Sequence, residues 1–241
     1  MIVLKVSFSW DDGSPYDIKV AELFEKYEIP CKLFVPNRNV EGRDVLSPIE
    51  IKQMHSPYIS FGGHTENHVY LDSVSLEIAL QEVRNNKKYL EDILGTEITD
   101  FCFPGGKYTP KLLHVLREDF KTVRTAQTGC SAFNGYIRRP FFHFYPRGCK
   151  SLILNAIRNL DKSVVTLFRT YLKEQNYFDM LELFLCIAVE RGQLYELHIW
   201  GHSWEIEENG LWNRLECLLK KIKKLYADSI TEYGDDGLWK K

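Results

Sequence analysis

The chain has 241 residues, 44% hydrophobic, 27% charged and 13% aromatic, a balance that suits one α/β domain and excludes disorder, collagen and fibres. Lysine and arginine total 31 against 33 aspartates and glutamates, so the net charge of −2 gives no basic footprint for nucleic acid.

The first eight residues, MIVLKVSF, lack a cationic leader followed by a long apolar run and read as a strand; the expectation is a cytoplasmic protein without a signal peptide. No stretch reaches the roughly 18 apolar residues of a membrane span. The nearest, FDMLELFLCIAV, carries Asp179 and Glu182 and reads as a core helix. Cys31, Cys102, Cys130, Cys149, Cys186 and Cys217 include no CxxC pair, which suits reduced, buried thiols rather than disulfides or a zinc knuckle.

In chain order, β-type runs at 3–8, 31–35, 58–62, 100–103, 122–126 and 195–200 alternate with helical patterns, which predicts a parallel sheet or barrel. Ser47-Pro48-Ile49-Glu50 starts a helix, with a capping hydroxyl, proline at the first helical position and a glutamate to return the bond. Leu76, Ala79, Leu80, Val83, Leu90 and Leu94 form a core stripe that stops at Gly95. Leu211, Leu215, Leu218, Leu219, Ile222 and Leu225 form another. Residues 148–192 read as an extra helical region inside a single domain, without linker or internal repeat.

Chemistry gathers where strands end. Trp10-Asp11-Asp12-Gly13 places two adjacent carboxylates after the first strand, a pattern that also serves as a solvated turn. Gly62-Gly63-His64-Thr65-Glu66-Asn67-His68 follows the third strand, and histidines four apart on a helical turn can present both rings to one ion. The glycines permit close backbone approach. Together the two clusters supply a His/His/carboxylate set with coordination positions open to water. Phe103-Pro104-Gly105-Gly106-Lys107-Tyr108 is a turn whose N–H groups could hold a small anion, or a plain tight turn. Finally, His198 lies within the last strand and reads as a wall residue, whereas His202 follows Gly201 and is better placed to reach a cavity.

These residues resemble the polysaccharide deacetylases with NodB homology. Asp11-Asp12-Gly13 after an apolar strand is similar to the family's first motif, and His64-Thr65-Glu66-Asn67-His68 matches its second, H-S/T-x-x-H, in full. The resemblance runs from residue 3 to about residue 205 and implies an α/β fold, a distorted (β/α) barrel of about seven strands. It makes Asp12, His64 and His68 the metal ligands, zinc first with cobalt, nickel or manganese as alternatives, and Asp11 the catalytic base. Thr65 would brace the histidine loop. The third motif's arginine is replaced by Cys102 and its aromatic by Gly105; Arg124, Arg138 and Arg139 are the candidates to orient the base instead. The fourth motif, an Asp with a Trp, has no clear counterpart between residues 125 and 150. The last motif fits Ile199 to His202, with Leu197-His198 as the competing alignment.

The expected reaction is metal-dependent hydrolysis of a non-peptide carbon–nitrogen bond, removing the N-acetyl group of a sugar or glycan. Asp11 would take a proton from water, the Gly105 N–H would help hold the oxyanion, and His202 would protonate the leaving amine. Exchange of the two aspartates' roles stays open. Trp10, Tyr108, Trp200 and Trp204 could stack on sugar rings or pack in the core. The competing readings are a barrel that binds without turnover and a hydrolase of a small non-sugar amide. Without a leader, a soluble or lipid-linked precursor glycan is the expected substrate.

Overall fold

A computed structural model describes residues 5–129, 135–158, 164–190 and 196–227. Residues 3 and 4 of the first run, Cys130 and Tyr195 lie outside them.

The first strand, β1 (Lys5–Asp11), alternates Val6, Phe8 and Trp10 with Ser7, Ser9 and Asp11, and both sets are buried. A parallel strand covered on both faces has that property. It pairs with β2 (Cys31–Val35) on one side and β8 (Glu196–His202) on the other. The sheet continues through β3 (Ile59–Gly63), β4 (Asp100–Cys102), β5 (Thr122–Arg124) and β6 (Ile137–Arg138), while β7 (Phe142–His143) lies beyond β8. Every pairing is parallel. The described residues form eight strands rather than about seven, because β6 and β7 have two residues each and are too short to show alternation.

The order is β6-β5-β4-β3-β2-β1-β8-β7, so β6 and β7 are the edges. Only Arg139, Pro140 and Phe141 join them, a path of at most about 14 Å. The sheet therefore curls into a half-barrel with flanking helices, and Arg138 on β6 reaches Glu196 on β8 at 2.8 Å across the gap.

The helices are α1 (Asp17–Lys26), α2 (Pro48–Met54), α3 (Leu76–Leu94), α4 (Pro110–Val115), α5 (Cys149–Arg158), α6 (Val164–Tyr171), α7 (Tyr177–Glu190), α8 (Ser203–Glu208) and α9 (Trp212–Tyr226). The Ser47 capping box and the left-handed Gly95 stop stand as read. The extra region is α5 to α7, and Met180, Leu181, Phe184 and Leu185 of α7 are core. Cys217 departs from the buried-thiol expectation, since it is exposed on α9.

The barrel interior is polar. Ser7 donates to Glu196, so its hydroxyl can only accept from His198 Nδ1 at 2.8 Å, which leaves His198 Nε2 to accept from Ser9 at 2.8 Å. Burial, with Arg124 and Arg138 nearby, holds His198 well below its ordinary pKa and therefore neutral. Both ring nitrogens are used inside the wall. Lys32, Asp100 and Thr122 form a second buried network beneath the site.

Candidate active site

Strand ends build the site. Register sets Asp11 beside His202, because β1 and β8 pair Asp11 with His202 and Trp10 with Gly201. Successive residues of a strand point to opposite faces, so Asp12 could not join Asp11 without a change in backbone. That change occurs at Asp12 itself, which has φ 76°. Thr65 and His68 also take left-handed conformations, at φ 68° and 57°. Such conformations are costly outside glycine and mark places where the surroundings dictate geometry.

Asp12 Oδ1 lies 3.0 Å from His68 Nε2 and 3.4 Å from His64 Nε2. A tetrahedral ion with ligand bonds near 2.0–2.1 Å separates its ligands by about 3.3 Å, so these spacings fit a metal centre. His64 Nδ1 donates to the Cys102 carbonyl at 2.8 Å, which fixes the tautomer with Nε2 bare toward Asp12. All three groups are buried. Burial alone would raise the Asp12 pKa, but the His64 and His68 rings and the His202 charge hold it well below the usual carboxylate range. The donor set therefore fits a divalent ion.

The histidine loop is held by α3 rather than by Thr65, whose buried hydroxyl has no hydrogen-bond partner among the described residues. Asn86 accepts from the His64 N–H at 2.7 Å and donates to the Val35 carbonyl at 2.9 Å. One turn earlier, Glu82 accepts from the Asn67 N–H and side-chain amide at 2.9 and 2.7 Å. Gly62 is required by packing, since a Cβ there would meet the Phe34 ring at 2.5 Å.

Of the three candidate arginines, Arg124 reaches Asp11. Its guanidinium pairs with Asp11 Oδ2 and lies 2.9 Å from Cys102 Sγ, fully buried at the end of β5. Cys102 stands in the register position next to Arg124, so the small thiol leaves room for the guanidinium to cross above β4. Arg138 is committed to Glu196, and Arg139 lies between β6 and β7.

His202 Nδ1 is 2.8 Å from Glu205 Oε2, and its Nε2 is 3.9 Å from Asp12 Oδ2. Burial lowers the His202 pKa, but the Glu205 bond and the Asp12 and Asp11 charges outweigh it and raise the value. Glu205, in the first turn of α8, supplies the carboxylate absent between residues 125 and 150. Sequence reading missed His143, whose Nε2 is 2.6 Å from the same Glu205 oxygen and whose ring stacks on Trp200 at 4.1 Å.

A cavity of about 290 Å³ opens on Asp11, Arg124, Gly105, Trp200, His202 and His143, with Arg147, Ser151 and Asn155 on its far wall. Gly105, at φ 58°, thus lies where expected. Tyr108 does not; it stacks on Phe103 at 4.7 Å and packs against the core. Trp10 is also core, against Phe24 and Phe144. Trp204 stacks on His202 and donates to Asp12 Oδ2 at 3.0 Å.

The family model of polysaccharide deacetylases matches residues 4–120, which contain Asp11, Asp12, His64 and His68. That segment, just under half of the chain, is similar to the polysaccharide deacetylases. YxkH of Bacillus subtilis (strain 168), a polysaccharide deacetylase by name, is 23% identical over 109 residues, 45% of this chain and 39% of that protein. The match thus spans well under half of the curated relative. The Streptococcus pyogenes deacetylase PplD in complex with acetate superposes with a TM-score of 0.51 at 24% identity, covering 55% of this chain and 62% of that one. The T48 deacetylase with substrate gives 0.54 at 15% identity over 95% and 87%. BA3943, a CE4 family pseudoenzyme from Bacillus anthracis, gives 0.53 at 9% over 95% and 63%. These likenesses show the fold.

Proposed function

We propose that the chain is a metal-dependent hydrolase that removes the N-acetyl group from a sugar or glycan. The observation that carries this reading is the convergence of Asp12, His64 and His68 beside an Asp11–Arg124 pair and a His202–Glu205 pair, with Asp11 and His202 both on one cavity.

Asp12, His64 and His68 would hold the ion, zinc in our reading. Once bound, it would act as a Lewis acid on the amide carbonyl and make water a stronger nucleophile. Asp11, fixed by Arg124, accepts the proton of the attacking water. Gly105 presents its backbone N–H to the developing oxyanion. Glu205 is an acceptor, so His202 carries its Nδ1 proton toward Glu205 and gives up a proton from Nε2 to the departing amine. Trp200 lines the cavity wall, where its ring, stacked by His143 and overlain by Arg124, shapes the room for the sugar.

The binding-only alternative lacks support in the site, since no ligand or acid–base position is vacated. A cavity of this size takes one sugar ring or a small amide, so both substrate classes remain in the test. Acetate release from N-acetylglucosamine, its short oligomers and small acetamides, with added metal and after chelation, tests the reading. It predicts metal-dependent release from the sugars; release from none of them contradicts it.

A further inference from the structure

The chain carries −2 overall, yet residues 147–174 hold six cations against two carboxylates, which leaves the remainder of the protein at −6. The five cations of this stretch within the described residues, Arg147, Lys150, Arg158, Arg169 and Lys173, are all exposed. None of them forms an ion pair among the described residues.

The same stretch exposes apolar side chains. Leu154 and Ile157 stand on α5, and Val165, Phe168 and Leu172 on α6 and its end, at 49% to 67% exposure. They make up five of the eleven large exposed apolar side chains among the described residues, and the other six are dispersed. Their spacing places each set on one face of its helix, opposite Leu152, Ile153 and Ala156 of α5 and Thr166 and Leu167 of α6, which are buried. The two helices pack against each other. Apolar faces of this kind mark interaction surfaces more often than solvated ones.

We propose that the exposed faces of α5 and α6 dock this protein on an anionic lipid surface. Leucine, isoleucine and phenylalanine flanked by lysine and arginine are the composition of a helix lying in the interfacial plane of a membrane. No helix among the described residues is long and apolar enough to cross a membrane, and the docking proposed is that of helices lying on its surface. A second copy of the chain is disfavoured as the occupant, because pairing two such faces brings like charges together, with six cations against two carboxylates on each. The location has a consequence for the active site. Ser151, Leu152 and Asn155 of α5 line the same cavity as Asp11 and His202, so the docked helix forms one wall of the site and sets its opening beside the lipid.

Cosedimentation of the full chain with vesicles tests this independently of the deacetylase reading. Wild type should pellet with equimolar phosphatidylglycerol and phosphatidylcholine, remain in the supernatant with phosphatidylcholine alone, and release as salt rises. Phe168→Ser combined with Leu172→Ser should weaken binding at least ~10-fold, from the apolar area withdrawn. Lys150→Glu with Arg169→Glu should weaken it by a factor of about 25 or more, about fivefold per cation lost. Both variants alter exposed side chains outside the cavity and should keep the wild-type melting temperature and any activity on soluble substrate. Equal binding to both vesicle types, no binding to either, or wild-type binding by both variants overturns the proposal. A dimer in sedimentation that Phe168→Ser with Leu172→Ser disperses would assign the face to a second copy and overturn it as well.

Discussion

His143 and His202 reach the same oxygen of Glu205, at 2.6 and 2.8 Å. An ionised carboxylate accepts only, so both facing nitrogens carry protons and His202 Nε2 is left to exchange its proton with the cavity. Removing the donor should matter most where the leaving group needs a proton. His202→Ala should slow amide turnover by about 10²–10⁴ and spare an activated aryl acetate much of that loss. His143→Phe keeps the stack on Trp200 and deletes the bond to Glu205; about a tenfold fall in amide kcat with KM unchanged is expected, restored in part by His143→Gln. Parallel kinetics on the two substrates check this, and equal losses on ester and amide would remove His202 from the acid role.

Arg124 and Asp11 form a buried ion pair, and a buried pair costs most when only one member is lost. Arg124→Met should lower stability by about 3–5 kcal/mol and activity at least ~100-fold. Adding Asp11→Asn should recover most of the stability and none of the activity. Denaturant unfolding of the single and double variants gives the comparison; a double variant less stable than Arg124→Met would contradict the pairing.

Burial pushes the Glu205 pKa up, but the bonds from His143 and His202 pull it down to about 2 from an ordinary 4.5. A carboxyl depressed in the folded state contributes stability that is fully present above its unfolded pKa and lost as pH falls through the folded value. Melting temperature should therefore drop between about pH 4.5 and 2 more steeply in wild type than in Glu205→Gln. Identical slopes would place the acid sensitivity elsewhere.

Asn86 is the only described side chain that accepts from the His64 N–H. Asn86→Ala should cost about 1–3 kcal/mol by leaving that donor buried and unpaired. It should also weaken metal affinity by about 10–100-fold by loosening His64. Calorimetric metal titration reads the second effect; unchanged affinity would mean the loop holds itself.

Motifs at the ends of β1 and β3 were legible because their chemistry is local in sequence: two carboxylates before a glycine, and two histidines four residues apart, carried by a loop with left-handed Thr65 and His68 rather than by a helical turn. The braces were not. Asn86 and Glu82 sit within the apolar stripe of α3, where a polar residue in a buried phase is a signal that pattern reading passes over. Arg124 could be put forward but not chosen, since its pairing depends on which strand lies next to β4 and on the small side chain at Cys102. His143 was invisible because a two-residue strand has no periodicity, and only the curling of the sheet brings it to Trp200. Tyr108 failed for a related reason, as the turn at Pro104–Gly106 folds it back onto Phe103.

In the proposed reaction Asp12, His64 and His68 hold the catalytic ion and Asp11 does not. Metal analysis after dialysis against a weak chelator, run beside acetate release, tests it most directly. Wild type and Asp11→Asn should each retain one equivalent of metal, with Asp11→Asn at least ~100-fold slower. His64→Ala, His68→Ala and Asp12→Asn should retain none and be inactive. Full occupancy in either histidine variant, or metal kept by Asp12→Asn and lost by Asp11→Asn, would contradict the assignment.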